Sequence, residues 1–199
     1  MPPSHEQQQY EETVHLKDPA LAAFLAWLIP GLGHLYQGRV AKAGLFFVCI
    51  MGTFLYGVCL GGSHELGWGR TVYVEWGKPF ARLPYLCQVG VGLPALPALV
   101  QAYRMDADKR VWAGGFMAPP RDENRFDGPN RDQPTAHELN LKLHRFLELG
   151  RQYTMIAGLL NILAIYDAWG GPVISESARR KKEEEEEAEK KDIPSEVPS

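Results

Sequence analysis

Charged residues are segregated along this chain: almost all fall within 1–18, 63–82, 104–151 and 176–199, and the runs between are apolar. Such segregation predicts apolar helices joined by polar connections, the signature of a membrane protein. Four segments stand out, over 19–38, 43–62, 83–103 and 153–174. At ~1.5 Å of rise per residue, each is long enough for a ~30 Å hydrocarbon core. In the first segment, Pro30-Gly31 predicts a kink or a break. The second is uncharged, rich in Leu, Val and Phe, and contains Gly57 and Gly61 at the small-xxx-small spacing that lets two helix backbones approach. The third carries Pro84, Pro94 and Pro97; the last two fall inside it and should free carbonyls that need a neighbour in lipid. The fourth is marginal. Its apolar centre is followed by Asp167, whose charge would cost about 2.5–3.5 kcal/mol at mid-bilayer. Asp167 is therefore expected near an interface or beside a partner, with Tyr36 and His34 as candidates if those segments meet.

The fold expected is all-α: a polytopic integral membrane helical bundle of about four transmembrane helices, with an amphipathic interfacial helix and a disordered charged tail. Residues 1–17 form a polar N-terminal tail, 18–174 the membrane domain with its polar connection at 104–151, and 175–199 a charged low-complexity tail. Within that connection, Pro119, Pro120, Gly128, Pro129 and Pro134 predict loop. From 135 to 152 the residues favour helix, with Thr135 and Glu138 spaced as a capping box. Leu139, Leu143, Phe146, Leu147 and Gly150 share one face, which predicts a helix lying in the membrane interface. The connection at 63–82 mixes Trp68, Tyr73 and Trp76 with Arg70, Lys78 and Arg82, as suits the headgroup level.

Composition narrows the function classes. The net charge of −3 favours no polyanionic partner, so nucleic acid is not expected. The three cysteines lie in apolar runs, where a thiol packs as a small hydrophobe. The first apolar run follows a polar, acidic stretch and lacks a small-x-small cleavage pattern, so it is expected to stay as a span. No phosphate-binding glycine loop, HExxH or nucleophile triad is present. No catalytic residue, cofactor or metal is assigned: His137, His144 and Glu148 have a spacing that can hold a metal, but they read as solvated surface groups.

The stretch Trp27-Leu-Ile-Pro-Gly-Leu-Gly-His-Leu-Tyr-Gln-Gly-Arg39, followed by Lys42-Ala-Gly44 and an apolar helix, resembles the two-transmembrane-helix domain family. Gly31, Gly33, His34, Tyr36, Gly38 and Arg39 fit that family's turn, with its usual His-Arg-Phe-Tyr core reduced to His34-Leu-Tyr36. Over roughly residues 17–172, including 153–168, the chain resembles an uncharacterised bacterial family of small multi-span proteins. The resemblance implies a multi-pass protein of the bacterial inner membrane and no particular activity. Physically, the glycines permit positive φ and close approach, Tyr36 suits the headgroup level, and Arg39 and Lys42 face anionic lipid.

The polar positions singled out are therefore Gly31, Gly33, His34, Tyr36, Gly38, Arg39, Asn161 and Asp167. Asn161 and Asp167 lie about 120° apart around a helix, so they do not converge alone, and Asn161 is expected to bond across to another helix. The expected role is non-enzymatic: helix packing, with membrane lipids and a protein partner or a second copy of the chain as partners. The alternative is a small-solute transporter or channel component using the Pro-broken third segment and Asp167. Basic residues divide almost evenly between the two sides of a four-span arrangement; the long connection is expected on the cytoplasmic side.

Overall fold

The computed structural model describes residues 18–75, 82–124 and 127–170. Expectations for the 1–17 and 175–199 tails, for Trp76 and Lys78, and for residues 171–174 lie outside them. The described residues are all-α, with seven α-helices, short 3₁₀ turns and no strand beyond two isolated bridges.

Two long helices form the frame. α3 (Val40–Leu60) corresponds to the second segment, and α7 (Arg145–Gly170) contains residues 153–170 of the fourth. They run antiparallel: Lys42 and Asp167 meet at one end, and Gly57 meets Gly150 and Thr154 at the other. Gly57 and Gly150 allow direct backbone contact. A Cβ on Gly57 would come 2.7 Å from the Gly150 carbonyl oxygen, and one on Gly150 2.6 Å from that of Gly57. This is the close approach that the glycine spacing in α3 predicts.

The first and third segments do not form continuous helices. In the first, Asp18 caps α1 (Pro19–Leu28) by accepting from the Ala20 amide at 2.9 Å. The helix then ends for a local reason. Ile29, which precedes a proline, is extended, and Gly31 adopts a φ of 84°. The chain reverses, and α2 (Leu32–Tyr36) packs back along α1, with Gly33 against Ala22 and Ala26.

The third segment also folds back. α4 (Leu83–Gln88) continues into a 3₁₀ turn at Val89–Val91, and Gly92 reverses the chain with a φ of 85°. A second 3₁₀ turn, Leu93–Ala95, leads into α5 (Leu96–Asp106). Pro84, Pro94 and Pro97 all sit at helix starts, where a missing amide leaves no partner unsatisfied. This corrects the expectation that Pro94 and Pro97 kink a continuous span. Tyr85 ties the limbs together, its hydroxyl donating to the Ala95 carbonyl at 3.0 Å. The far end of α5 returns beside Tyr73, Val74 and Glu75, the stretch before α4.

The two hairpins enter from opposite ends of the α3–α7 pair and meet against α7. The Trp27 indole donates to the Val89 carbonyl at 3.2 Å, and Gly92 lies directly on the Trp27 carbonyl, where no side chain fits.

At the Gly57–Gly150 end lies a polar cap made of 61–75, 107–124 and 127–143. Gln101 in α5 clamps its loop, donating to the Trp112 and Phe116 carbonyls and accepting from the Trp112 amide. Asn130 accepts from the Val111 amide and donates to the Lys109 carbonyl. α6 (Ala136–Leu143) begins with the full Thr135–Glu138 capping box. The amphipathic helix foreseen over 135–152 is broken, however: His144 takes a φ of 45° between α6 and α7. The break changes which side chains share a face. Leu139, Leu143 and Leu147 bury against Leu66 in the cap, while Phe146 points outward. The same break interrupts the helical face on which His137, His144 and Glu148 were spaced.

Candidate functional site

Asp167 is the hub of a polar cluster at the α2 end of the frame. Its Oδ2 lies 2.8 Å from His34 Nε2, 3.3 Å from Arg39 Nη2 and 3.3 Å from Lys42 Nζ. One residue on, the Ala168 carbonyl accepts from Gln37 Nε2 at 2.6 Å. The turn carrying Gly31, Gly33, Gly38 and Arg39 positions these groups. Gly31 lets the reversal rest on the Ala43 backbone, Gly33 seats α2 on α1, and Gly38, at a φ of 83°, lifts the chain into α3. Tyr36 closes α2 and is half-buried.

The electrostatics depend on pairing the two long helices. Arg39 is the N-cap residue of α3 and Lys42 lies in its first turn, at the positive end of the helix dipole; Asp167 lies in the last turn of α7, at the negative end. Each charge is disfavoured on its own helix. Antiparallel packing brings the opposed ends together, so side chains and dipoles offset one another. His34 is wholly buried, with its ring 4.7 Å from that of Phe46. Its Nε2 bonds to Asp167, and its buried Nδ1 has no hydrogen-bond partner.

Asn161 does not join this cluster. It is buried where the hairpins meet, and its Nδ2 donates to Ala26 O of the first hairpin at 3.1 Å and Gly90 O of the second at 2.8 Å. A third polar group lies one stage nearer the cap: Gln88 donates to the Thr71 carbonyl and to Thr154 Oγ1. The clasp is closed: Gly90 and Gly158 pack so tightly that a Cβ on either would strike the opposite chain.

Three residues that matter here were not among the polar positions singled out. Lys42, expected with Arg39 to face anionic lipid, turns to Asp167. Gln37 carried no signal, and Arg70, expected at the headgroup level with Trp68 and Tyr73, is instead buried in the cap. Arg70, in the cap, is 1% exposed; it donates to Leu66 O and Gln133 Oε1, while Nη1 has no partner. Burial pulls its pKa down to about 10, which leaves the guanidinium charged near neutrality. Among the described residues, no three His, Cys, Asp or Glu side chains gather as a metal site would need.

The profile of a family of unknown function matches residues 21–181. The chain belongs to that family, DUF6677. Apart from Asp18, Pro19 and Ala20 at the start of α1, the match takes in both hairpins, both long helices and every member of the Asp167 cluster. No curated protein and no solved structure matches the chain.

Proposed function

We propose that the chain is a non-enzymatic integral membrane protein that crosses the bilayer twice, through α3 and α7. The hairpins α1–α2 and α4–α5 enter from opposite faces, and the polar cap sits on one face to engage lipid or a protein partner. One observation carries this reading. α3 has 21 residues and is apolar, yet only 28% of its most apolar stretch is buried within the fold. The core helix of a water-soluble protein would be mostly covered. Here Leu45, Val48 and Leu55 of α3 and Leu159, Ile162 and Leu163 of α7 are all exposed, as lipid-facing side chains would be.

Among the described residues α3 alone is both long and apolar enough to cross by composition; α7 is longer but bears charges near both ends. Those charges support a crossing rather than oppose one. Asp167 meets its cations at one end of α7, and Arg151 at the other donates to the Tyr73 hydroxyl. The ten residues of α1 rise about 15 Å, half the thickness of a hydrocarbon core. Two crossings also put Arg70 and Arg82 on the same side as the described basic residues of the long connection, among them Arg104, Lys109, Arg110 and Arg121. This favours a cytoplasmic cap in a bacterial inner membrane.

Single-cysteine labelling in a background lacking Cys49, Cys59 and Cys87 tests the topology. His64→Cys and Glu123→Cys should label from one side, and His5→Cys and Lys190→Cys from the other. Four separate crossings would put His64→Cys and Glu123→Cys on opposite sides, and equal labelling of all four in sealed vesicles would overturn the membrane reading.

The meeting of two half-length hairpins at Asn161 favours a second reading, a solute pathway, because broken helices of this kind line transporter sites. The tight Gly90–Gly158 contact and the separation of Asp167 from the third segment speak for the packed scaffold instead. A flux abolished by Asp167→Asn in a correctly inserted protein would reverse that preference.

A further inference from the structure

We propose that the lipid-facing surface fits a bilayer core of about 24 Å, thinner than the usual ~30 Å, so that the protein favours short-chain lipids and compresses longer ones around it. This rests on the membrane reading above and adds the class of lipid that the surface fits. Two independent routes give the apolar height. On α7, Arg151 and Asp167 bound the uncharged stretch and lie sixteen residues apart, a rise of about 24 Å. The other route runs through the hairpins. Asn161 Nδ2 bonds both Ala26 O and Gly90 O, which puts those two residues at one level. Asp18, the N-cap of α1, precedes Ala26 by eight residues, and Arg82, the N-cap of α4, precedes Gly90 by eight. Because the hairpins enter from opposite ends, their charged starts are again about 24 Å apart.

Aromatic rings mark similar limits. Tyr153 and Tyr166 of α7 are thirteen residues, about 20 Å, apart, and Tyr56 of α3 stands edge-on to Tyr153 with ring centroids 5.0 Å apart. Such rings favour the headgroup level. Between them the large exposed side chains are apolar, among them Leu45, Val48, Leu55, Ile156, Leu159 and Leu163. α3 is longer than this belt, but Lys42 lies in its first turn, and its last turn lies under the cap, where Gly57 and Val58 are buried and Gly61 rests on Thr71. A short span is accommodated by side chains reaching outward, by association or by thinning of the bilayer. On the two long helices the first is closed: Arg39 and Lys42 are held on Asp167, and Arg151 on the Tyr73 hydroxyl. A second copy would cover one side and leave the rest mismatched, whereas thinning acts around the whole circumference.

The test is reconstitution of the full chain in phosphatidylcholine vesicles with monounsaturated chains of 14, 16, 18, 20 or 22 carbons, each mixed with a brominated 18-carbon phosphatidylcholine. Bromine quenches tryptophan, and Trp27, half-buried beside the Asn161 clasp, reports from inside the belt. The lipid that the protein prefers excludes the quencher best. Affinity should peak at 14–16 carbons and fall severalfold by 22. X-ray scattering from stacked bilayers gives a second readout: the phosphate-to-phosphate spacing should shrink with added protein at 18 carbons and stay constant at 14. A peak at 18 carbons or more, affinity independent of chain length, or an unchanged spacing at 18 carbons overturns the proposal. So do dimers that accumulate with chain length while quenching stays flat, since copies of the chain would then absorb the mismatch. Alkaline carbonate extraction separates the two levels of the argument. Release from membranes removes the membrane reading and the thickness preference with it; resistance to extraction without chain-length preference removes only the latter.

Discussion

His34 Nε2 and Asp167 Oδ2 lie 2.8 Å apart although 133 residues separate them in sequence. The contact joins the first reversal of the chain to the last turn of α7, and Arg39 and Lys42 close on the same carboxylate. Asp167→Asn should therefore destabilise the fold more than loss of either cation alone. Arg39→Gln or Lys42→Gln removes one partly exposed ion pair and should cost less than about 1 kcal/mol. Asp167→Asn leaves both cations at the positive end of α3 and should cost about 2 kcal/mol, since the whole cluster loses its anion. Thermal unfolding in detergent, with a double-mutant cycle between Asp167 and Lys42, measures the coupling; strict additivity would show that the cluster is not a unit.

The glycines of α3 separate into two kinds. A Cβ at Gly57 would press on the α7 backbone, whereas one at Gly52 would meet nothing within 4 Å. Gly57→Ala should lower the midpoint of unfolding by several degrees. Gly52→Ala should be neutral or stabilise by up to about 1 kcal/mol through helix propensity alone. Equal effects at the two positions would contradict the close packing of α3 on α7.

Asn161→Leu removes both donors of the clasp. Each contact is worth about 0.6 kcal/mol on average between membrane helices, and the abandoned carbonyls of Ala26 and Gly90 add to the loss. A total of about 1–2 kcal/mol is expected. The sharper readout is amide hydrogen exchange, which should rise in both hairpins together; protection lost in one hairpin only would show that Asn161 does not link them.

In the cap, Thr135→Ala removes the side chain that accepts from the Glu138 amide and should cost about 1 kcal/mol. Glu138→Gln should cost less, because an amide oxygen can still accept from the Thr135 amide. Proteolysis near α6 reports the difference, and identical nicking of the two variants and the wild type would argue against the box as a stabilising element.

Several features were legible in the sequence because their causes are local. The capping box is a spacing of three, the Gly57 approach follows from the size of glycine, and the cross-helix bond of Asn161 follows from an amide in an apolar run. Membership of an uncharacterised family was legible as a resemblance over roughly residues 17–172, including 153–168. The path of the chain through 19–38 and 83–103 was not. A hydropathy run reads the same whether it crosses in one direction or turns back halfway. Pro30-Gly31 signals an interruption without saying whether the result is a bend or a reversal, and Gly92 carries no proline before it to mark one. Likewise the positive φ of His144, which splits the expected amphipathic helix, has no compositional mark.

The sequence by itself determined which segments are apolar, which stretches are helical and where their glycines allow contact, since these depend on neighbours within a few residues. Only the tertiary structure decided that two segments fold back as half-length hairpins, that these meet at Asn161, and that Asp167 gathers His34, Arg39 and Lys42. The physical reason lies in the charges themselves. Two cations at the start of α3 and an anion at the end of α7 are each unfavourable on their own helix, and they become a stabilising cluster only when antiparallel packing brings the two helix ends together.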